Sequence, residues 1–190
     1  IEGYARNNSG GVPDNFHNYF VATFDKPFAY KGTWSEGEYA PGSLNTESDH
    51  SGAVVGFKTK KGERVHVKVA SSFISPEQAR LNLERETGSK SFEKVRAEGR
   101  KTWNDELSRI RVYGGSADEQ VTFYSCLYRI LLFPRKFYEF NDQEEMMHYS
   151  PYNGEVKPGY MFTDNGFWDT FRAVFPFFTL MYPELNSHIM

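Results

Sequence analysis

The sequence predicts a multi-part α and β chain: a β domain, a helical linker, and the first helices of a third unit. Three observations carry this. Strand-length runs of β-branched and aromatic residues lie before Ser75. From Ser75 the pattern becomes that of capped amphipathic helices. An aromatic-rich helical segment, "NGFWDTFRAVFPFFTLMYPE" (Asn165 to Glu184), then lies just before the last residue, Met190.

The strands come first. "YFVATF" (19–24), "AVVGFKT" (53–59) and "RVHVKVASSF" (64–73) have strand length and composition. In the last, Val65, Val67 and Val69 alternate with His66 and Lys68, so the valines are expected on a buried face and His66 toward solvent. "KTKKGER" (58–64) reads as a hairpin tip at Gly62. The Gly-, Pro-, Asn- and Ser-rich stretches "NNSGGVPDN" (7–15) and 31–52 read as loops. Three strands leave sandwich and barrel both open.

The helices follow. Ser75 is the expected N-cap, with Pro76 at the first helical position, Gln78 completing a capping box, and Gly88 as the C-terminal stop. Phe92, Val95, Gly99, Trp103, Leu107 and Ile110 mark one apolar face of a second helix, with Glu93, Lys94, Arg96, Glu98, Arg100 and Lys101 solvated. Ser116 and Glu119 form another capping box, ahead of Phe123, Leu127, Ile130 and Leu131 and a stop near Pro134. Residues 135–166 keep no helical period and read as an ordered hairpin with loops. Trp168, Phe171, Phe175, Phe178 and Tyr182 then share one helical face, which Pro176 must kink or restart.

Composition excludes several classes. Hydrophobics at 39% against 25% charged residues make this a folding sequence and not a disordered one. A net charge of -3 with no basic patch argues against nucleic-acid binding. No apolar run reaches membrane-spanning length, and no signal peptide is present. The lone cysteine, Cys126, allows no intramolecular disulfide and is expected as a buried thiol. Aromatics at 17% suit both thick β cores and clefts where rings stack on sugars. A start at Ile1 suggests a trimmed product or part of a longer protein.

The runs "VASSFISPEQARLNLERE", "RKTWNDELSRIRVYGG", "VTFYSCLYRILLFPR" and "YMFTDNGFWDTFRAVFPFFTLMYPE" resemble glycoside hydrolase family 92, calcium-dependent inverting exo-α-mannosidases. The block "FWDTFRA" is the most specific part, and "NNSGGVPDNFHNYFVATFDKPF" is similar to the family's N-terminal domain. The resemblance implies the end of an N-terminal β-sandwich over 1–74, a helical linker over 75–112 and the start of an (α/α)6 toroid over 113–190. The active site would lie at the domain junction. It further implies action on mannose-containing glycans in the periplasm, at the cell surface or after secretion. Calcium ligands and the acid/base carboxylates would lie mostly outside this chain, and the remaining polypeptide would pack on the C-terminal helices.

On that basis no residue here is assigned as catalytic or as a metal ligand. Trp168 is expected to offer a ring face to the sugar and Asp169 to accept its hydroxyls. Arg172, three residues on, either pairs with Asp169 and orients it or touches the sugar. Without the resemblance, an aspartate in a first helical turn and a core Trp would suffice. Arg135, Tyr160 and Asp164 are weaker candidates, if the long excursion folds over the cleft. Glu144–Glu145 and Asp49–His50 read as loop polar groups. The competing class is a non-catalytic carbohydrate-binding protein, told apart by the carboxylates that an enzyme must carry elsewhere.

Overall fold

The computed structural model describes residues 1–6 and 12–190; the first part of the predicted loop 7–15 lies outside them. The β region holds two three-stranded antiparallel sheets. One orders β1 (Glu2–Ala5), β2 (Asn18–Phe24) and β6 (Val67–Ser72) as β1-β2-β6. The other orders β3 (Tyr30–Ser35), β4 (Glu38–Pro41) and β5 (Ser51–Gly56) as β4-β3-β5. Phe24, Phe28 and Phe57 meet where the two sheets join, with ring centroids 5.3–5.5 Å apart.

Two expectations fail here. The segment 31–52 is no simple loop, because most of β3 and all of β4 lie in it. Their connection turns at Glu36 (φ 49°) and Gly37 (φ 88°), the paired positive φ of a tight hairpin, with an unusual glutamate in the first place. The 58–64 turn is also not a hairpin tip: it carries the chain from β5 in one sheet to β6 in the other.

The alternation in β6 exists, but with its faces exchanged. Helix α1 (Pro76–Glu86) packs Ala79 and Leu83 against Val21, Tyr19 and Ala70, so Lys68, Ala70 and Ser72 lie on the covered face. Val67 and Val69 are 51% and 61% exposed on the other side. Small side chains at 70 and 72 let the helix approach closely. The Lys68 ammonium escapes by reaching the Gly88 carbonyl at the helix's C-terminal end, a favourable place for a cation. Arg80 ties the outer side of α1 to Glu2 of β1, whose carboxyl is held below its usual range by that guanidinium.

Ser75 caps α1 by accepting the Gln78 N–H at 3.1 Å, but the box is only half made. The Gln78 amide instead donates to Asn82 Oδ1 (2.9 Å) and the Phe140 carbonyl (2.7 Å). Gly88 (φ 34°) donates to the Leu83 carbonyl and ends the helix. Helix α2 (Phe92–Leu107) has no buried residue; Phe92 and Val95 are exposed, and Trp103 meets Tyr128 at 4.5 Å. Helix α3 (Ala117–Ile130) starts at the complete Ser116–Glu119 box. Cys126 on α3 is exposed rather than buried, since only Leu127 of this helix is covered.

The excursion is a set of short antiparallel strands. They are β7 (Arg135–Lys136), β8 (Glu139–Phe140), β9 (Met146–Tyr149), β10 (Val156–Pro158) and β11 (Phe162–Thr163), paired as β10-β9-β8 and β11-β7. The last segment is three helices, α4 (Phe167–Thr170), α5 (Val174–Met181) and α6 (Pro183–Ile189). Pro176 thus sits in the first turn of a restarted helix, where its missing N–H would have no intrahelical partner. Phe175 and Phe178 are buried, and the Arg109 guanidinium lies 4.7 Å over the Tyr182 ring, tying α5–α6 to the end of α2.

Candidate functional site

Helix α4 is a single turn with no buried residue. Its N-cap, Gly166, contributes no side chain, and the turn is closed by Asp169 N–H donating to the Gly166 carbonyl (3.0 Å) and Phe171 N–H to the Phe167 carbonyl (2.9 Å). Thr170 Oγ1 also donates to the Gly166 carbonyl at 3.0 Å. The Asp169 carboxylate folds over Gly166, in space that a β-carbon there would need. Trp168 is 79% exposed. Its expected aromatic neighbours turn instead to Phe167, whose ring lies 5.9 Å from Phe171 and 5.8 Å from Phe175.

Arg172 is exposed and does not pair with Asp169 among the described residues. It lies in the 171–173 turn between α4 and α5, so helical i,i+3 geometry is lost. Its guanidinium sits 5.5 Å over the Phe171 ring. Trp168, Asp169 and Arg172 are therefore neighbours in one exposed turn, not one face of a continuous helix.

Two weaker candidates come together. Arg135 Nη1 lies 3.4 Å from Asp164 Oδ2, across the end of the β7–β11 ladder. Tyr160 goes elsewhere, stacking on His188 at 4.0 Å and meeting Tyr138 edge-on at 5.2 Å. Both acids of the Glu144–Glu145 pair have structural partners. Glu144 (φ 64°) pairs with Arg85 at 3.1 Å, and Glu145 accepts from Asn141 at 2.8 Å. His50 donates its N–H to Glu36 at 3.0 Å, which holds the Glu36 carboxyl below its usual range.

Sequence reasoning missed the junction between the β region and the excursion. Tyr149 Oη donates to Asn15 Oδ1 (2.8 Å), and Asn15 Nδ2 donates to the Gly154 carbonyl (2.9 Å). Tyr149 is 3% exposed, and burial pushes its phenol above the usual range. Beside it Phe16 stacks on Phe73 at 5.5 Å, and Phe137 lies tilted against Phe73 at 4.5 Å. Glu139 closes the seam by accepting from Phe73 N–H (2.9 Å) and Asn82 Nδ2 (2.6 Å). The only local signal was the aromatic content of the excursion, which does not name partners more than 100 positions away.

Among the described residues no three His, Cys, Asp or Glu side chains converge as metal ligands. An open depression of about 710 Å³ lies between Leu107 and the Ala117–Arg129 face of α3, and Trp168, Asp169 and Arg172 do not line it. No helix of the described residues is long and apolar enough to cross a membrane.

Comparison with known proteins matches two family models, "Glycosyl hydrolase family 92 N-terminal domain" over residues 1–72 and "Glycosyl hydrolase family 92 catalytic domain" over 78–190. The chain is similar to the family GH92 inverting mannosidase BT2199 of Bacteroides thetaiotaomicron VPI-5482, with 47% identity and a TM-score of 0.95 over 98% of this chain and 25% of that one. It is also similar to the GH92 α-mannosidase BT3965 of Bacteroides thetaiotaomicron, solved in complex with mannoimidazole. There the identity is 27% and the TM-score 0.75, over 95% of this chain and 24% of that one. An "Uncharacterized secreted glycosidase" of Arthroderma benhamiae (strain ATCC MYA-4681 / CBS 112371) is 35% identical over 78 residues, which are 39% of this chain and 10% of the relative. The chain thus spans about a quarter of the solved structures it matches.

Proposed function

The chain belongs to glycoside hydrolase family 92, and from that premise we propose that the whole protein removes terminal α-linked mannose from glycans by an inverting mechanism. The observation that carries this is the 47% identity, over nearly the whole chain, to a protein described as an inverting mannosidase. Residues 1–190 supply the end of a β-sandwich, a helical linker and the opening helices of an (α/α)6 toroid, at the boundaries 74/75 and 112/113. The remaining polypeptide packs on those helices.

Inverting hydrolysis needs a protonated carboxyl on the leaving oxygen and a carboxylate that activates water, about 6.5–9.5 Å apart. We place both outside this chain. The part played here is recognition: the exposed Trp168 ring stacks on the C–H face of the terminal sugar, and the Asp169 carboxylate accepts its hydroxyls. Arg172, held over Phe171 and not paired with Asp169, is free to donate to a sugar oxygen. Among the described residues no three His, Cys, Asp or Glu side chains converge, and we assign calcium to the whole enzyme, with ligands mostly from the rest of the polypeptide. The description of one relative as secreted supports a site of action outside the cytoplasm, in the periplasm or at the cell surface.

The test is release of mannose from α-linked mannobioses by the full-length protein, with and without a calcium chelator. Release that the chelator abolishes is the expected result. A folded, calcium-loaded protein that releases nothing from any linkage would overturn the proposal in favour of a non-catalytic carbohydrate-binding protein.

A further inference from the structure

We propose that Arg135 and Asp164 are a positioning pair that aims the Trp168–Asp169 turn; this rests on reading that turn as part of the sugar site. The β7–β11 ladder has only two rungs, and the chain leaves it for α4 from the rung where Thr163 faces Arg135. The next residue, Asp164, has φ 62°, a left-handed conformation that aspartate tolerates better than most side chains and that swings the chain out of the strand. Only Asn165 and Gly166 separate it from α4. The direction set at Asp164 therefore determines where Trp168 and Asp169 stand.

Among the described residues, little else holds this turn beyond the Phe167 ring against Phe175. Helix α4 buries no residue and has no side-chain cap. Arg135 is restrained on two sides, by the Phe133 ring 5.2 Å from its guanidinium and by the Asp164 carboxylate at 3.4 Å. Both partners are largely exposed, at 64% and 47% of their side-chain surface, so the pair contributes little to global stability. Its effect is local: a misplacement of about 1 Å at a reacting site costs on the order of 100-fold in rate.

In the full-length enzyme, Arg135→Ala and Asp164→Asn each break the ion pair, and asparagine keeps the left-handed turn. Each is expected to lower kcat/KM for an α-mannoside by about 10- to 100-fold, to raise deuterium uptake at the Phe167–Phe171 amides, and to leave Tm nearly unchanged. The double variant should be no worse than either single one, as members of one unit are not additive, and Arg135→Lys should recover part of the loss. Unchanged uptake in both single variants, or effects that simply add in the double, would overturn the pair. Asp169→Ala run in parallel separates the two ideas: full activity there sinks the sugar-site reading and the catalytic half of this proposal, whereas unchanged uptake sinks the pair alone.

Discussion

Tyr149 donates its phenol hydroxyl to the Asn15 side chain at 2.8 Å, across 134 positions of sequence. Through the same amide Asn15 donates to the Gly154 carbonyl, so one side chain from the β region satisfies two groups of the excursion. Asn15→Ala leaves the buried Tyr149 hydroxyl without this acceptor and should cost about 1–3 kcal/mol, against about 0.5–1.5 kcal/mol for Tyr149→Phe, which removes the hydroxyl itself. Urea midpoints of the full-length protein check this. An Asn15→Ala midpoint equal to wild type would show that the latch does not couple the two regions.

Asp169→Ala removes an exposed carboxylate that packs against no core residue, so Tm should stay within a degree or two. If it binds sugar hydroxyls, losing those charge-assisted hydrogen bonds, at about 1.5–3 kcal/mol, lowers kcat/KM by about 10- to 150-fold. Steady-state rates on an α-mannoside decide it, and a wild-type rate removes Asp169 from the site.

Asp25 accepts the His66 backbone N–H at 2.9 Å and meets the ring Nδ1 at 2.7 Å, contacts that hold its carboxyl below the usual aspartate range. A carboxyl depressed in the folded state stabilises fully above its unfolded value, about 3.9, and that contribution is lost as pH falls through the lower folded value. Wild type should therefore exceed Asp25→Asn in stability at pH 7, and the gap should close below about pH 4. Denaturation curves at pH 7, 4 and 3 measure it. A gap that stays constant, or widens in acid, contradicts the assignment.

Ala79 is fully buried where α1, through Ala79 and Leu83, packs on Val21. Ala79→Leu forces extra volume into that contact and should cost about 1–3 kcal/mol, read as a lower thermal midpoint. An unchanged midpoint would mean that the helix can lift from the sheet without loss.

What was legible in the sequence was local. The caps at Ser75 and Ser116 could be read because a cap and its partner stand three residues apart. The switch from strands to helices followed from side-chain period, and the need for Pro176 to kink or restart its helix followed from the missing amide hydrogen. The hairpin at Glu36–Gly37 escaped because glutamate is a poor marker for positive φ. The β6 alternation told of two faces, but not which one a helix would cover.

The sequence by itself determined the order of β region and helices, the starts of α1 and α3 and the stop of α1, and the family pattern around Trp168. Only tertiary structure decided that α1 takes the Ala70–Ser72 face, that Arg135 meets Asp164, and that Asn15 closes on Tyr149. The physical reason is range. Capping, turn and helical hydrogen bonds and steric limits act within a few residues, whereas these contacts depend on how the chain closes over tens to more than a hundred positions.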